Sequence, residues 1–122
     1  MLCYVFAYVL IIRRTFSVFT DHYIKLLSNK SINRICSKPY GFEFMILIYK
    51  FTKNNSEYGV EETFEMIKYN RCKRPAFLSF IKDLENDGII HRLQSKLKKS
   101  RILLRLNKDI VHELDQFNNL TQ

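Results

Sequence analysis

Lysine and arginine side chains, which can bind anions, are concentrated between residues 71 and 105. This stretch holds ten basic and three acidic residues, a net formal charge of +7 in a chain whose total is +8. A cationic surface of this density attracts a polyanion, provided that the fold brings the side chains together. The basic residues are Arg71, Lys73, Arg74, Lys82, Arg92, Lys96, Lys98, Lys99, Arg101 and Arg105.

A helix, a turn and a second helix are predicted around the start of this stretch. Val60 to Tyr69 has apolar residues at helical spacing and acids in its first turn, where they suit the helix dipole. A basic turn, Asn70 to Arg74, follows, and Pro75 is expected at the first position of the second helix. That helix is expected to run to Asp87, because Gly88 can adopt the left-handed conformation that ends a helix. Its inward residues are predicted to be Phe77, Ile81 and Leu84, with Phe80 flanking them.

After the second helix the periodicity changes to alternation, which predicts a two-stranded ribbon. The strands are expected at Ile89 to Ser95 and at Arg101 to Leu106, with a charged tip at residues 96–100 between them. Asn107 can cap a last helix from Lys108 to about Asn118. The inward face of the second strand is predicted to consist of Ile102, Leu104 and Leu106. The order helix, turn, helix, ribbon is that of a winged helix-turn-helix.

The N-terminal part of the sequence is strongly apolar. Leu2 to Ile12 is an unbroken run of eleven apolar residues followed by Arg13 and Arg14. This is about half the ~20 residues that a membrane-spanning helix needs. One helix is predicted from about Leu2 to Asn29, with more apolar surface than a monomer of this size can cover. Self-association is therefore expected, and membrane contact through residues 2–12 is the alternative.

A short turn and a central helix are predicted before the helix-turn-helix. Ser31 is expected to cap a turn that buries Ile32 and Ile35, and Gly41 is expected to permit a sharp re-entry of the chain. Phe42 to Phe51 is almost continuously apolar, which suits a buried strand or a buried helix. Its length and the absence of a second apolar run nearby favour a central helix.

The length of 122 residues is that of one domain with a modest core. The expected fold class is mainly α with a small β-ribbon, namely a winged helix-turn-helix with a long N-terminal and a short C-terminal dimerisation helix. Residues 1–39 are assigned to the N-terminal dimerisation helix and linker. Residues 40–106 are assigned to the winged-helix core, and residues 107–122 to the C-terminal helix.

Residues that carry catalysis or bind metals form no pattern in this sequence. Cysteines and histidines lie apart without ligand spacing, and there is no Ser/His/Asp order and no Gly-rich phosphate loop. We therefore expect no enzyme activity, no metal and no cofactor, and the sequence identifies no small-molecule ligand. Three widely spaced cysteines also fit no disulfide framework, which indicates a reducing, cytoplasmic location. The residues concerned are Cys3, Cys36, Cys72, His22, His91 and His112.

Cys72 carries a redox hypothesis, because Arg71 and Lys73 flank it and nearby cations favour the thiolate form. Oxidation at this position would add negative charge to the basic surface. The alternative is an inert, small side chain.

Three stretches of the sequence, taken in their order and spacing, resemble a known family. They are Phe42–Tyr49, Ile81–Ile90 and Arg101–Asn107. They are similar to MarR-type winged-helix regulators, and more closely to the staphylococcal accessory regulator (Sar) branch, over about Tyr40 to Asn107. This resemblance implies a homodimer that binds AT-rich promoter DNA and regulates transcription. The family's wing carries acids just before an arginine. Here Lys99 and Ser100 stand in their place before Arg101, so the wing is more cationic and lacks the carboxylates that would orient this arginine.

On such a fold the second helix is expected to approach the bases of a major groove through Ala76 and Ser79, beside Lys82. No Arg, Asn or Gln stands there to make a bidentate base contact, so direct readout is expected to be weak and DNA shape to carry specificity. Phosphates are expected to be contacted by Arg71, Lys73, Arg74 and Lys82. The flanking backbone or minor groove is expected to be contacted by Lys96, Lys98, Lys99 and Arg101.

The sequence thus predicts a homodimeric transcriptional regulator with sequence-biased binding to double-stranded DNA. Two alternatives stay open at this point. One is a winged-helix protein–protein module whose basic face meets an acidic partner. The other is a small membrane-associated protein anchored by residues 2–12.

Overall fold

The computed structural model of the protein describes the backbone of residues 2–121 and the side chains of residues 5–14 and 17–119. Its elements are α1 (Leu2–Leu27), α2 (Lys30–Ile35), α3 (Gly41–Asn54), α4 (Val60–Met66), α5 (Arg74–Asn86), β1 (Ile90–Gln94), β2 (Ile102–Leu106) and α6 (Lys108–Thr121). The predicted fold class, mainly helical with a two-stranded ribbon, is confirmed.

Helix α3 is the centre of the core, as predicted from its apolar run. Phe44, Met45 and Ile48 are fully buried in it. Helix α5 packs against this centre, and its ring of Phe77 lies edge-on to Phe44 with centroids 5.6 Å apart. The predicted inward residues of α5, Phe77, Ile81 and Leu84, are all buried, and the flanking Phe80 is buried as well. The amphipathic pattern of α5 therefore fixes which side of this helix remains in solvent.

The segment between α1 and α3 departs from two details of the prediction. The cap of α2 is Asn29 and not Ser31, because the Asn29 carboxamide oxygen accepts from the backbone N–H of Ser31 and of Ile32 at 3.0 and 3.2 Å. Gly41 is required by close approach rather than by a sharp turn. A Cβ there would lie 1.8 Å from the carbonyl oxygen of Ile35. The predicted burial of Ile32 and Ile35 is confirmed.

Helix α4 is shorter than predicted, since it ends at Met66 rather than at Tyr69. Ile67 leaves the helix with extended backbone and is buried. Asn70 adopts the left-handed conformation with φ 55°, but in the turn and not at the helix end. Pro75 stands at the second position of α5, because the helix already begins at Arg74.

The ribbon is antiparallel, and Ile90 of β1 lies opposite Leu106 of β2. Leu104 and Leu106 of the predicted apolar face of β2 are buried, and Leu103 and Arg105 on its other face are buried as well. A short bridge between Gly59 and Leu103 adds a third chain segment beside β2 and covers its second edge. The guanidinium of Arg105, counted above with the basic surface, instead donates to the Ser56 carbonyl at 2.6 Å in the interior.

The last helix begins as predicted, because the side-chain oxygen of Asn107 accepts from the backbone N–H of Asp109 at 2.9 Å. Helix α6 then packs on α1, where the rings of Phe19 and Phe117 lie 5.7 Å apart. Ile110 and Leu114 of α6 are buried. The two terminal helices therefore pack together beside the core.

Candidate nucleic-acid interface

The turn between α4 and α5 is fixed from below by α3. The Glu43 carboxylate accepts hydrogen bonds from the backbone N–H groups of Lys68 and Tyr69 at 2.7 and 3.0 Å. Because α4 ends at Met66, these two N–H groups have no acceptor within the helix. The Glu43 carboxylate supplies the hydrogen-bond acceptors that they lack. The start of α5 is thereby positioned relative to the core.

Arg71 closes the same turn rather than extending into solvent. Its Nε donates to the carbonyl of Ile67 at 2.9 Å and its Nη2 to the carbonyl of Glu65 at 2.6 Å. Its guanidinium also lies 5.5 Å from the ring centre of Phe64. The residue was predicted to contact phosphate, and the structure places its donors on the end of α4.

The solvent face of α5 is the one predicted. Ala76, Ser79 and Lys82 are exposed, as are Asp83 and Asn86. Ala76, Ser79 and Lys82 offer one hydroxyl and one ammonium group to an approaching duplex, and the guanidinium at the helix start belongs to Arg74. The short side chains leave room for a close approach of the helix backbone.

The two exposed arginines that flank this face are paired with acids of the same molecule. Arg74 donates hydrogen bonds from both Nε and Nη2 to the Glu61 carboxylate, and Arg92 donates one from Nε to the Glu85 carboxylate. The hydrogen bond from Arg74 lowers the pKa of Glu61 below its ordinary value, so this carboxylate is charged at neutral pH. A bidentate pair of this kind occupies the donors that would otherwise bind phosphate.

Arg101 is also held, which corrects the expectation that nothing orients it. Its Nη1 donates to the carbonyl of Glu57 at 2.8 Å, and its Nε lies 3.4 Å from the Glu62 carboxylate. The start of α4 thus supplies the acid that the wing lacks. A Cβ at Gly59 would lie 2.9 Å from the Cγ of Arg101, so glycine is needed where this arginine crosses. Arg101 ties the base of the wing to α4.

The lysines of the region behave differently from the arginines. For the part of the chain that the structure describes, none of their ammonium groups has an ion pair or a hydrogen bond within the protein, and all are exposed. We call them the free lysines, and they are Lys73, Lys82, Lys96, Lys98 and Lys99. All five arginines between residues 71 and 105 have partners in the chain, so the cationic groups here without internal partners are those of the lysines.

A groove of about 470 Å³ lies between the start of α4, helix α5 and the ribbon. Gly59, Val60, Glu61 and Glu62 line it at the start of α4, Leu78 lines it from α5, and Arg92, Lys98 and Arg101 line it from the ribbon. Lys82 follows Leu78 by one helical turn and therefore lies on the same flank of α5. Lys98 is the free lysine that lines this groove.

The predicted redox residue, Cys72, lies beneath this surface rather than on it. It is half-buried and packs against the core, and Tyr40 is its hydrogen-bonding partner. Burial, then this hydrogen bond, raises the pKa of the Tyr40 hydroxyl. The side chain of Cys3 lies outside the described residues. Among those that are described, no group of three His, Cys, Asp or Glu side chains could hold a metal ion.

Two helices joined by a turn, backed by a central helix and followed by an antiparallel ribbon, define a winged helix-turn-helix. Solved structures share this fold. The heme sensor protein PefR from Streptococcus agalactiae, in complex with heme, is 16% identical over 94% of this chain and 71% of its own, with a TM-score of 0.51. A single-residue mutant of MepR from S. aureus is 11% identical over 93% of this chain and 76% of its own, with a TM-score of 0.55.

A protein described as a putative MarR-like transcription regulator from Bacillus cereus is 15% identical over 92% of this chain and 77% of its own, with a TM-score of 0.46. No family model and no curated protein matches the sequence. At these identities the likeness to PefR and MepR shows the fold alone.

Proposed function

We propose that the protein is a transcriptional regulator that binds double-stranded DNA as a homodimer. The observation that carries the proposal is that α5, the turn before it and the ribbon expose five lysines without internal partners. The winged-helix fold supports it, because α5 is the recognition helix of such a fold and its buried face leaves short side chains outward. The resemblance to the Sar branch and the AT-rich promoter target remain parts of this proposal.

Lysine and arginine have different tasks in the proposed interface. Ammonium groups are compact, hydrated point charges, and they bind phosphates without reading a base sequence. Ala76 and Ser79 offer no bidentate base contact, so we propose that specificity comes mainly from the shape and deformability of the duplex. Of the residues predicted to bind DNA, Arg71, Arg74 and Arg101 serve first to shape the surface.

The second copy is proposed to bind along α1 and α6. Helix α1 exposes large apolar side chains that α6 does not cover, including Val5, Phe6, Tyr8, Val9, Leu10 and Ile12. Residues 1–39 and 107–122 would then form the dimer, and residues 40–106 would bind DNA. Two-fold symmetry would place the two recognition helices about one helical turn of DNA apart, ~34–36 Å. PefR is described in complex with heme; for this chain the absence of a small-molecule ligand stays a prediction.

The proposal is tested by the salt dependence of duplex binding. Each phosphate contact contributes about −0.9 to the slope of log affinity against log salt concentration. The triple variant Lys96→Ala, Lys98→Ala, Lys99→Ala should bind a short AT-rich duplex more weakly. Its slope should be shallower by about 5 if two wings contribute three contacts each. Fluorescence anisotropy over a series of salt concentrations measures both quantities.

A matched control removes three exposed lysines outside the proposed surface, namely Lys30, Lys38 and Lys50. This control should retain the affinity and the slope of the wild type, although it loses the same formal charge. A wild-type protein whose affinity does not change with salt, or two triple variants with equal losses, would contradict the proposal.

A further inference from the structure

Leu97 projects from the tip of the ribbon into solvent. Its exposed fraction is 78%, larger than that of any other large hydrophobic side chain in the described part of the protein. The tip lies outside the hydrophobic core. An apolar group so placed gains free energy only when a partner covers it.

The backbone that carries Leu97 is fixed before any partner binds. The hydroxyl oxygen of Ser95 accepts from the backbone N–H groups of Leu97 and Lys98, each at 3.1 Å. Ser95 is itself buried and donates to the Glu57 carboxylate. The backbone N–H of Ser95 bonds to the carbonyl of Arg101 at 3.1 Å, which closes the ends of the turn. A side chain presented by a preformed turn costs little conformational entropy when it inserts into a partner.

The charges around Leu97 identify the kind of partner. Lys96, Lys98 and Lys99 flank it, and none of their ammonium groups is paired within the described chain. A second copy of the same tip would be repelled by these charges, whereas a polyanion would be attracted. The DNA minor groove has walls of sugar and phosphate and a floor of base edges, and proteins insert leucine between base steps there, against the apolar faces of the bases.

We propose that Leu97 is a specificity-determining residue that inserts as an apolar wedge into the minor groove, with the flanking lysines on the adjacent phosphates. The inference rests on the proposed DNA binding and deepens it. Pyrimidine–purine steps such as TpA unstack easily, so the wedge would favour duplexes that place such a step under the wing. The wing would thereby read deformability, which the recognition helix lacks the side chains to read directly.

The test compares Leu97→Asn with Leu93→Asn in the full-length protein. Leu93 lies on β1 of the same ribbon and is 49% exposed, but it is away from the tip. The probe is a set of duplexes of about 30 base pairs in which the position of one TpA step is scanned and 2-aminopurine reports unstacking at that step. We expect the wild type to raise the fluorescence at one step position. Leu97→Asn should abolish this signal and bind about tenfold more weakly.

Two readouts separate a wedge from a loss of charge or of folding. The salt slope of Leu97→Asn should equal that of the wild type, because all lysines remain. Leu97→Met, which keeps an apolar side chain at the tip, should retain the fluorescence signal. Leu93→Asn should equal the wild type in affinity, fluorescence and salt slope. Equal affinity and unchanged fluorescence for Leu97→Asn, or equal effects of the two asparagine variants, would overturn the wedge while the proposed DNA binding stands. A wild-type protein with no salt-dependent affinity for any duplex would overturn both.

Discussion

Glu61 competes with phosphate for Arg74 at the start of the recognition helix. Both groups of this pair are more than half exposed, so a phosphate can reach the guanidinium once the carboxylate is removed. Glu61→Gln is therefore expected to strengthen duplex binding by about twofold to fivefold, the range expected when an exposed ion pair is removed. Anisotropy titration with an AT-rich duplex at low salt measures the gain.

The gain from Glu61→Gln has to depend on Arg74. In an Arg74→Ala background the same glutamine should change the affinity little, because no guanidinium is left to release. Glu65→Gln is the matched control. It removes one exposed acid from the same helix as Glu61, and the described residues include no ionic partner for it. If Glu65→Gln raised the affinity as much as Glu61→Gln, general charge rather than release of Arg74 would be the cause.

The acids that pair with the arginines of the site could not be predicted from the sequence. The count of cations between residues 71 and 105 marked a region that does expose lysines, but the arginine partners Glu57, Glu61 and Glu62 precede that stretch. Only the folded helix-turn-helix brings the start of α4 beside the wing. In the sequence, Glu61 and Glu62 indicate only a favourable interaction with the dipole of the helix that they begin.

At the scale of elements, α6 is joined to α3 by a polar contact at the edge of the core. The Asp115 carboxylate accepts from the Tyr49 hydroxyl and lies 3.1 Å from the Lys53 ammonium nitrogen. The hydrogen bond from Tyr49, followed by that from Lys53, lowers the pKa of Asp115 below its ordinary value of 3.8. A carboxyl group whose pKa is lowered by folding stabilises the fold at pH values above its ordinary pKa. This stabilisation is lost as the pH falls through the lowered pKa of the folded state.

Tyr49→Phe tests this link between the helices. It should reduce the free energy of unfolding by roughly 1 kcal/mol at pH 7, because it removes a half-buried hydrogen bond to a charged group. The difference from the wild type should shrink at pH 3, where protonation of Asp115 begins to remove the charge. Denaturant unfolding at the two pH values measures it. Tyr58→Phe, at an exposed tyrosine, should leave stability unchanged at both. A Tyr49→Phe effect independent of pH would contradict the assignment to Asp115.

Helices were predictable where one amphipathic face decides their packing. The stripe of α5 and the apolar run of α3 specified which residues are buried, and the Gly88 and Asn107 caps specified two boundaries. Element β2 was not predictable to the same degree, because its second edge is covered by the residues around Gly59, more than forty positions earlier. The requirement for glycine at position 41 likewise depends on where the carbonyl group of Ile35 lies at the end of α2. The residues next to Gly41 in sequence do not indicate this position.

At the scale of the whole molecule, the exposed apolar side of α1 is the largest feature that the single chain leaves uncovered. Within residues 2–121, no helix combines the length and the apolarity that crossing a bilayer demands. A second copy is the proposed cover, since two such helices can bury their apolar side chains against each other. Both copies would then bind one duplex, so dimer formation and DNA affinity are expected to be lost together.

Phe6→Glu places a charge within this apolar side, at a position 71% exposed in the single chain, so the fold itself should be unaffected. Burying that charge between two copies is unfavourable, and self-association is expected to weaken on the order of 100-fold. Duplex affinity should fall with it, because each monomer retains half of the phosphate contacts. Sedimentation equilibrium and anisotropy measure the two losses, and Phe6→Leu, which keeps the position apolar, should show neither. A Phe6→Glu protein that remains dimeric, or a monomer that binds the duplex as tightly as the wild type, would show that α1 is not the surface that joins two copies on DNA.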